Sequence, residues 1–114
     1  MLTVDSLKAY GADTDEGMAR CMNNEAFYLK MVGMGIADER FETLKGVLES
    51  GDYEQAFEMA HALKGVLGNL ALTPIYTPME EMTELLRAKD TQADYMAYYS
   101  QIKTELDRLL ELIG

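Results

Sequence analysis

The sequence predicts an all-α fold, an up-down four-helix bundle with one or two short extra helices at its N-terminal end. Three observations predict it. Apolar residues recur at helical spacing in four long stretches. Leu, Met, Ala, Glu and Lys, all good helix formers, are abundant, and only two prolines interrupt 114 residues. The breaks between the stretches are short, as between antiparallel neighbours in a bundle. Alternating β-branched runs, the mark of strands, are missing.

Taken in order, Thr3 caps a first short helix, Val4 to Tyr10, that Gly11 ends. Thr14 caps a second, running to about Met22. Asn23 and Asn24 break the pattern, and Asn24 caps a third helix in which Phe27, Met31 and Met34 share a face. A break near Ala37 and Asp38 precedes a restart capped by Asp38, with Phe41, Leu44 and Leu48 along one stripe. Ser50, Gly51 and Asp52 form a turn. The fifth helix runs from about Asp52 to Leu72. The next has two rival starts. Thr77, Pro78 and Glu80 give a cap, a first-turn proline and a capping-box glutamate. Thr73 and Pro74 offer the same start four residues earlier, at the expense of placing Pro78 inside the helix, where it deletes a hydrogen bond. The last helix begins near Thr91 and carries the cleanest stripe, Tyr95, Tyr98, Tyr99, Ile102, Leu106, Leu109, Leu110 and Ile113.

The length fits a single domain, residues 1–114, able to bury a core without disulfides or a structural metal. A formal charge of −10 disfavours nucleic acid and anionic membrane, which bind through Lys and Arg clusters. No basic start with an apolar run marks a signal peptide, and no window approaches the roughly 20 apolar residues of a membrane span. The expectation is a cytoplasmic protein. The lone Cys21 reads as a small buried apolar residue. Met31, Met34, Met79 and Met82 are too dispersed for a copper site, and no acidic spacing marks a metal cage.

One stretch stands apart. AHALKGVLGN, Ala60 to Asn69, holds the only histidine of the chain and two helix-weakening glycines. At about 100° per residue, Ala56, Met59, Ala60, Leu63, Val66, Leu67 and Leu70 fall on an arc of about 140° opposite His61. They form the core face. Glu54, Glu58, Lys64, Gly65, Gly68 and Leu72 fall within about 60° of the histidine, on the exposed face. There Gly65 and Gly68 strip the helix beside the imidazole and leave clearance for a partner. Phe57 and Leu72 flank the stripe as apolar docking residues, with the Met31 to Met34 region beyond them.

The run His61-Ala62-Leu63-Lys64-Gly65, followed by Asn69 and Leu70, resembles the motif of the histidine-containing phosphotransfer (HPt) domain of two-component phosphorelays. The turn at Gly51-Asp52 before it and Thr83-Glu84-Leu85-Leu86-Arg87 after it are similar to the same family. Ala71 stands where many members have glycine, and Gly68 where alanine or serine is commoner. The resemblance implies a phosphoryl carrier rather than an enzyme. His61 would take a phosphoryl group from the aspartyl-phosphate of a response-regulator receiver domain, or stand downstream of a hybrid sensor histidine kinase, and pass the group to another receiver. Lys64 would stabilise the phosphoryl oxygens and Gly65 would clear space for the receiver. No cofactor is implied on this chain; the Mg2+ and the reactive aspartate belong to the receiver. The protein would act as a monomer, and the initiating Met1 favours a free-standing protein over a piece of a kinase.

The residues suit that chemistry. Imidazole is a nucleophile at neutral pH. Attack by Nε2 requires the proton on Nδ1, and Glu58, one turn earlier, is placed to accept its hydrogen bond. Lys64 brings one positive charge to the equatorial oxygens. No glycine-rich phosphate loop for ATP is present. Two other readings remain open: a docking module that binds a receiver or another protein without chemistry, and a dimerising scaffold with tyrosines of the last helix partly exposed.

Overall fold

The structure, a computed structural model, describes all 114 residues. It holds seven helices and no strand: α1 (Val4–Tyr10), α2 (Thr14–Arg20), α3 (Glu25–Ile36), α4 (Arg40–Ser50), α5 (Tyr53–Asn69), α6 (Thr73–Arg87) and α7 (Tyr95–Ile113). α5 packs most extensively on α6, α6 on α7, and α4 on both α5 and α7, which closes a four-helix bundle. α3 leads into α4 and packs on α7. α1 lies against α7 and α2 against α3, so the two short helices cover one end. No helix is long and apolar enough to cross a membrane.

Local chemistry accounts for most boundaries. Thr3 and Ser6 form a reciprocal capping box at the start of α1, and Gly11 ends it at φ 116, a conformation that disfavours other residues. Asn24 accepts from the Phe27 amide, Asp52 from that of Gln55, and Gly51 turns the chain at φ 79. Asp38 takes the Arg40 amide where Glu39, the residue before α4, offers no cap.

Four boundaries differ from the sequence-based expectation, and a fifth, the start of α6, falls at the earlier of its two rival positions. α2 is capped by Asp13, not Thr14, because Thr14 is 3% exposed and turned inward while Asp13 is free to accept from the Glu16 amide. It ends at Arg20, before Met22 and Asn23, both of which take positive φ. α5 stops at Asn69 rather than Leu72, because Ala71 adopts φ 56 and turns the chain. α6 starts at Thr73 with Pro74 in its first turn, and Pro78 lies inside it. The lost backbone bond at Pro78 is offset by burial, since Ile75, Pro78, Met79, Met82 and Leu86 all face the core. Thr77 is not a cap; its hydroxyl donates back to the Thr73 carbonyl. α7 begins at Tyr95, where Asp94 caps it, because Asp90 accepts from the Gln92 amide and holds the preceding segment in a turn.

The core runs the length of α5. Ala56, Ala60, Leu63 and Leu67 are completely buried, as projected, and Met59 and Val66 are half-buried at its margin. In α7, Tyr95, Tyr99, Ile102, Leu106 and Leu109 are buried, whereas Leu110 and Ile113 are exposed. Tyr99 donates to the Phe41 carbonyl and ties α7 to α4. Cys21 is buried and free.

Candidate functional site

His61 stands in the middle of α5 with its side chain exposed, opposite the buried stripe of Ala60, Leu63 and Leu67. Its ring makes no hydrogen bond with any group of the chain. What holds it is Phe57, one turn earlier. The two rings stack with centroids 5.6 Å apart and planes 21° from parallel. Phe57 is held in turn from α6, whose Arg87 guanidinium lies 4.9 Å from the Phe57 ring centre, a cation–π contact. Phe57 is therefore half-buried and serves as a support for the imidazole.

Lys64 lies one turn beyond the histidine. Its ammonium is 3.6 Å from Oε1 of Glu84 on α6, while Arg87 Nε is 3.4 Å from Oε2 of the same carboxylate. One carboxylate thus stands between Lys64 and Arg87. Neither approach is close enough for a good hydrogen bond. The Arg20–Glu16 pair, in contrast, closes to 2.8 Å.

The two glycines have different surroundings. A Cβ on Gly65 would meet nothing within 4 Å, so the helix there is bare. A Cβ on Gly68 would meet the Tyr76 ring at 3.2 Å. The expected open face does not extend to Gly68: its smallness admits the Tyr76 ring, which is half-buried and fixed by a hydrogen bond from its hydroxyl to Glu80. That bond pushes the Tyr76 phenol pKa up. Leu72 is a plain correction. The projection carried α5 through it, but the chain turns at Ala71, and Leu72 becomes the fully buried residue that leads into α6. It cannot be a docking residue. Glu58 is on the exposed face as projected, without a hydrogen bond to His61.

Two grooves flank the histidine along α5. One, of about 470 Å³, is lined by Lys64, Gly65, Gly68, Asn69, Tyr76 and Arg20 among others. Arg20 is anchored there to Asn69 and Glu16. The other, of about 330 Å³, is lined by Phe57, Arg87, Lys89, Tyr53, Glu54 and Leu86. Sequence reasoning assigned no role to Arg20, Tyr76, Glu84 or Arg87, although a signal for two of them was present. A turn at Leu72 pairs residues equidistant from it on α5 and α6, which matches Gly68 with Tyr76 and Phe57 with Arg87.

An exposed nucleophilic ring on a rigid helix, with a lysine one turn away and bare backbone beside it, can receive an electrophilic group from a partner that approaches the helix. It carries few groups of its own to drive the reaction. No curated protein and no solved structure matches the chain significantly. A family model, that of the Hpt domain, matches residues 36–112, which takes in α4, α5, α6 and nearly all of α7. The chain belongs to the Hpt domain family, whose members carry phosphoryl groups in phosphorelays.

Proposed function

We propose that this protein is a phosphorelay intermediate whose phosphoryl acceptor is His61. The observation that carries the reading is an exposed imidazole with no hydrogen-bond partner, supported only by the Phe57 stack, beside the open helix face at Gly65 in a chain of the Hpt family. A ring nitrogen attacks the phosphorus of a receiver's aspartyl-phosphate. The N–P bond forms as the P–O bond breaks, and the electron pair leaves with the receiver's carboxylate. The ring keeps the proton on its other nitrogen until solvent takes it. Transfer to a second receiver runs the same steps in reverse.

The division of labour follows from what the site holds. Phosphoryl transfer depends on positioning and on neutralising the equatorial oxygens. This chain supplies position through the stacked ring and charge through Lys64. The remaining catalytic groups, Mg2+ included, belong to the receiver. Gly65 lets the receiver come within reach of the ring, and Phe57 and Glu58 border the contact.

Incubation with a phosphorylated receiver is the test. It should give an acid-labile, alkali-stable phosphoryl group on the wild type. His61→Gln should abolish it and keep the fold, because the side chain is exposed. Labelling of that variant at the wild-type rate would end the proposal. A second reading, docking without chemistry, has the bare Gly65 face in its favour. Receiver binding that survives His61→Ala, with no phosphorylation of the wild type, would select it.

A further inference from the structure

Glu84 is the one acidic side chain that contacts both cations beside His61. Its two oxygens are shared between Lys64 at 3.6 Å and Arg87 at 3.4 Å, and Arg87 is a single aromatic ring, Phe57, away from the imidazole. The Glu84 carboxylate is half-exposed and accepts no hydrogen bond, so nothing in the core depends on it. Pairs of such length to a half-exposed carboxylate are weak and exchange partners readily. A phosphoryl group on His61 would bring about two negative charges to the same surface, against the single charge of the carboxylate.

We propose that Glu84 is a positioning residue that sets the lifetime of the phosphohistidine, through competition with the phosphoryl group for Lys64 and Arg87. This rests on the reading of His61 as the phosphoryl acceptor. In the unphosphorylated protein Glu84 pairs with both cations. On phosphorylation they are drawn to the phosphoryl oxygens, and Glu84 pulls them back. The direction of the effect follows from the transition state. Loss of the phosphoryl group to water passes through a loose, metaphosphate-like arrangement. A metaphosphate carries one negative charge against about two on the phosphohistidine. Water, unlike a receiver's carboxylate, brings no charge that the cations must offset. Cations on those oxygens therefore stabilise the phosphohistidine more than the transition state and slow its loss. A carboxylate that withdraws them speeds it. Glu84 thus sets how long an undelivered phosphoryl group survives on His61.

Inorganic phosphoramidate provides a test without a receiver. A ring nitrogen of His61 attacks its phosphorus, the new N–P bond replaces the old one, and ammonia leaves. The decay of the loaded protein is then followed by 31P NMR. Glu84→Gln should lengthen the phosphohistidine lifetime about threefold to tenfold, the range expected for removing two weak pairs. Glu84→Asp, which keeps the charge, should restore it to within twofold of wild type. Lys64→Ala with Arg87→Gln should shorten it, and adding Glu84→Gln to that pair should change nothing further. A Glu84→Gln lifetime within twofold of wild type, or an effect that persists without the two cations, overturns the role of Glu84 and leaves that of His61 standing. Failure of His61 in the wild type to load at all, from phosphoramidate and from a receiver alike, overturns both.

Discussion

Gly17 and Gly65 are the same residue in the same kind of helix, and their surroundings are opposite. A Cβ on Gly17 would fall 2.5 Å from the ring of the fully buried Tyr28, whereas a Cβ on Gly65 would meet nothing. The first glycine belongs to the end of the molecule where α1, α2 and α3 close over the α5–α6 turn. There Tyr28 donates to the Leu70 carbonyl and the Asp13 amide to that of Ala71. The second belongs to the histidine face, where α5 is left bare. Gly33 and Gly46 are as bare as Gly65, and what sets Gly65 apart is its place one turn from His61, which on the proposed reading leaves the helix clear for a receiver. A glycine that fills a tight crossing marks a scaffold.

The largest effect is expected where the contrast is sharpest. Gly17→Ala forces a methyl group against a ring that cannot retreat, and should cost about 1–3 kcal/mol of stability in urea unfolding. His61 loading in the folded protein should be unchanged. A loss of loading at full stability would show that the two ends are not separate. Tyr28→Phe tests the same end more gently, and should cost about 1 kcal/mol by leaving the Leu70 carbonyl without its donor. It carries a pH signature. Burial pushes the Tyr28 phenol up from 10.0 to about 12. The unfolded phenol ionises at the lower value, so the stability linked to Tyr28 is complete below about pH 10 and is lost as pH rises through about 12. Wild type should weaken over that window more steeply than Tyr28→Phe. Equal slopes would remove Tyr28 as a source of alkaline instability.

Gly65→Ala should do the reverse of Gly17→Ala. Alanine removes the helix penalty of glycine and meets no neighbour, so stability should rise by about 0.5–1 kcal/mol. Loading by phosphoramidate should be unaffected, while transfer from a receiver falls. A receiver that transfers to Gly65→Ala as fast as to the wild type would mean that the clearance serves no partner.

The difference between the two ends also explains what could be foreseen. Caps and turns act over three or four residues, so Thr3, Gly11, Asn24 and Gly51 could be placed from local spacing alone. The direction of His61 followed from the helical period of its own helix. Leu72 went wrong because a helix projection has no means of seeing that Ala71 will take φ 56. The start of α6 turned on whether burial of Pro78 offsets its missing donor, a tertiary question. Tyr76 over Gly68, Arg87 over Phe57, and Glu84 between Lys64 and Arg87 all depend on the register of α6 against α5. Hydrophobic pattern alone fixes that register only loosely, because several neighbouring offsets bury similar stripes.

The smallest expected effects separate the ion pairs of the scaffold from those of the site. Asp38 and Arg40 bind each other through several hydrogen bonds, the closest at 2.6 Å, at the junction of α3 and α4. The Arg40 guanidinium and amide hold the Asp38 carboxyl below its usual pKa. A depressed carboxyl contributes stability above its unfolded value, near 4, and loses it as pH falls through the folded value. Solvent reaches both partners, so Asp38→Asn should cost only about 0.2–1 kcal/mol at pH 7. The cost should shrink as pH falls below the unfolded value and through the folded one. Glu84→Gln breaks two longer contacts of a more exposed carboxylate, and should leave unfolding stability nearly unchanged across the same range. If Glu84→Gln proved the more costly of the two and followed the same pH course, Glu84 would be part of the scaffold, and its place between Lys64 and Arg87 would need no explanation from the chemistry of His61.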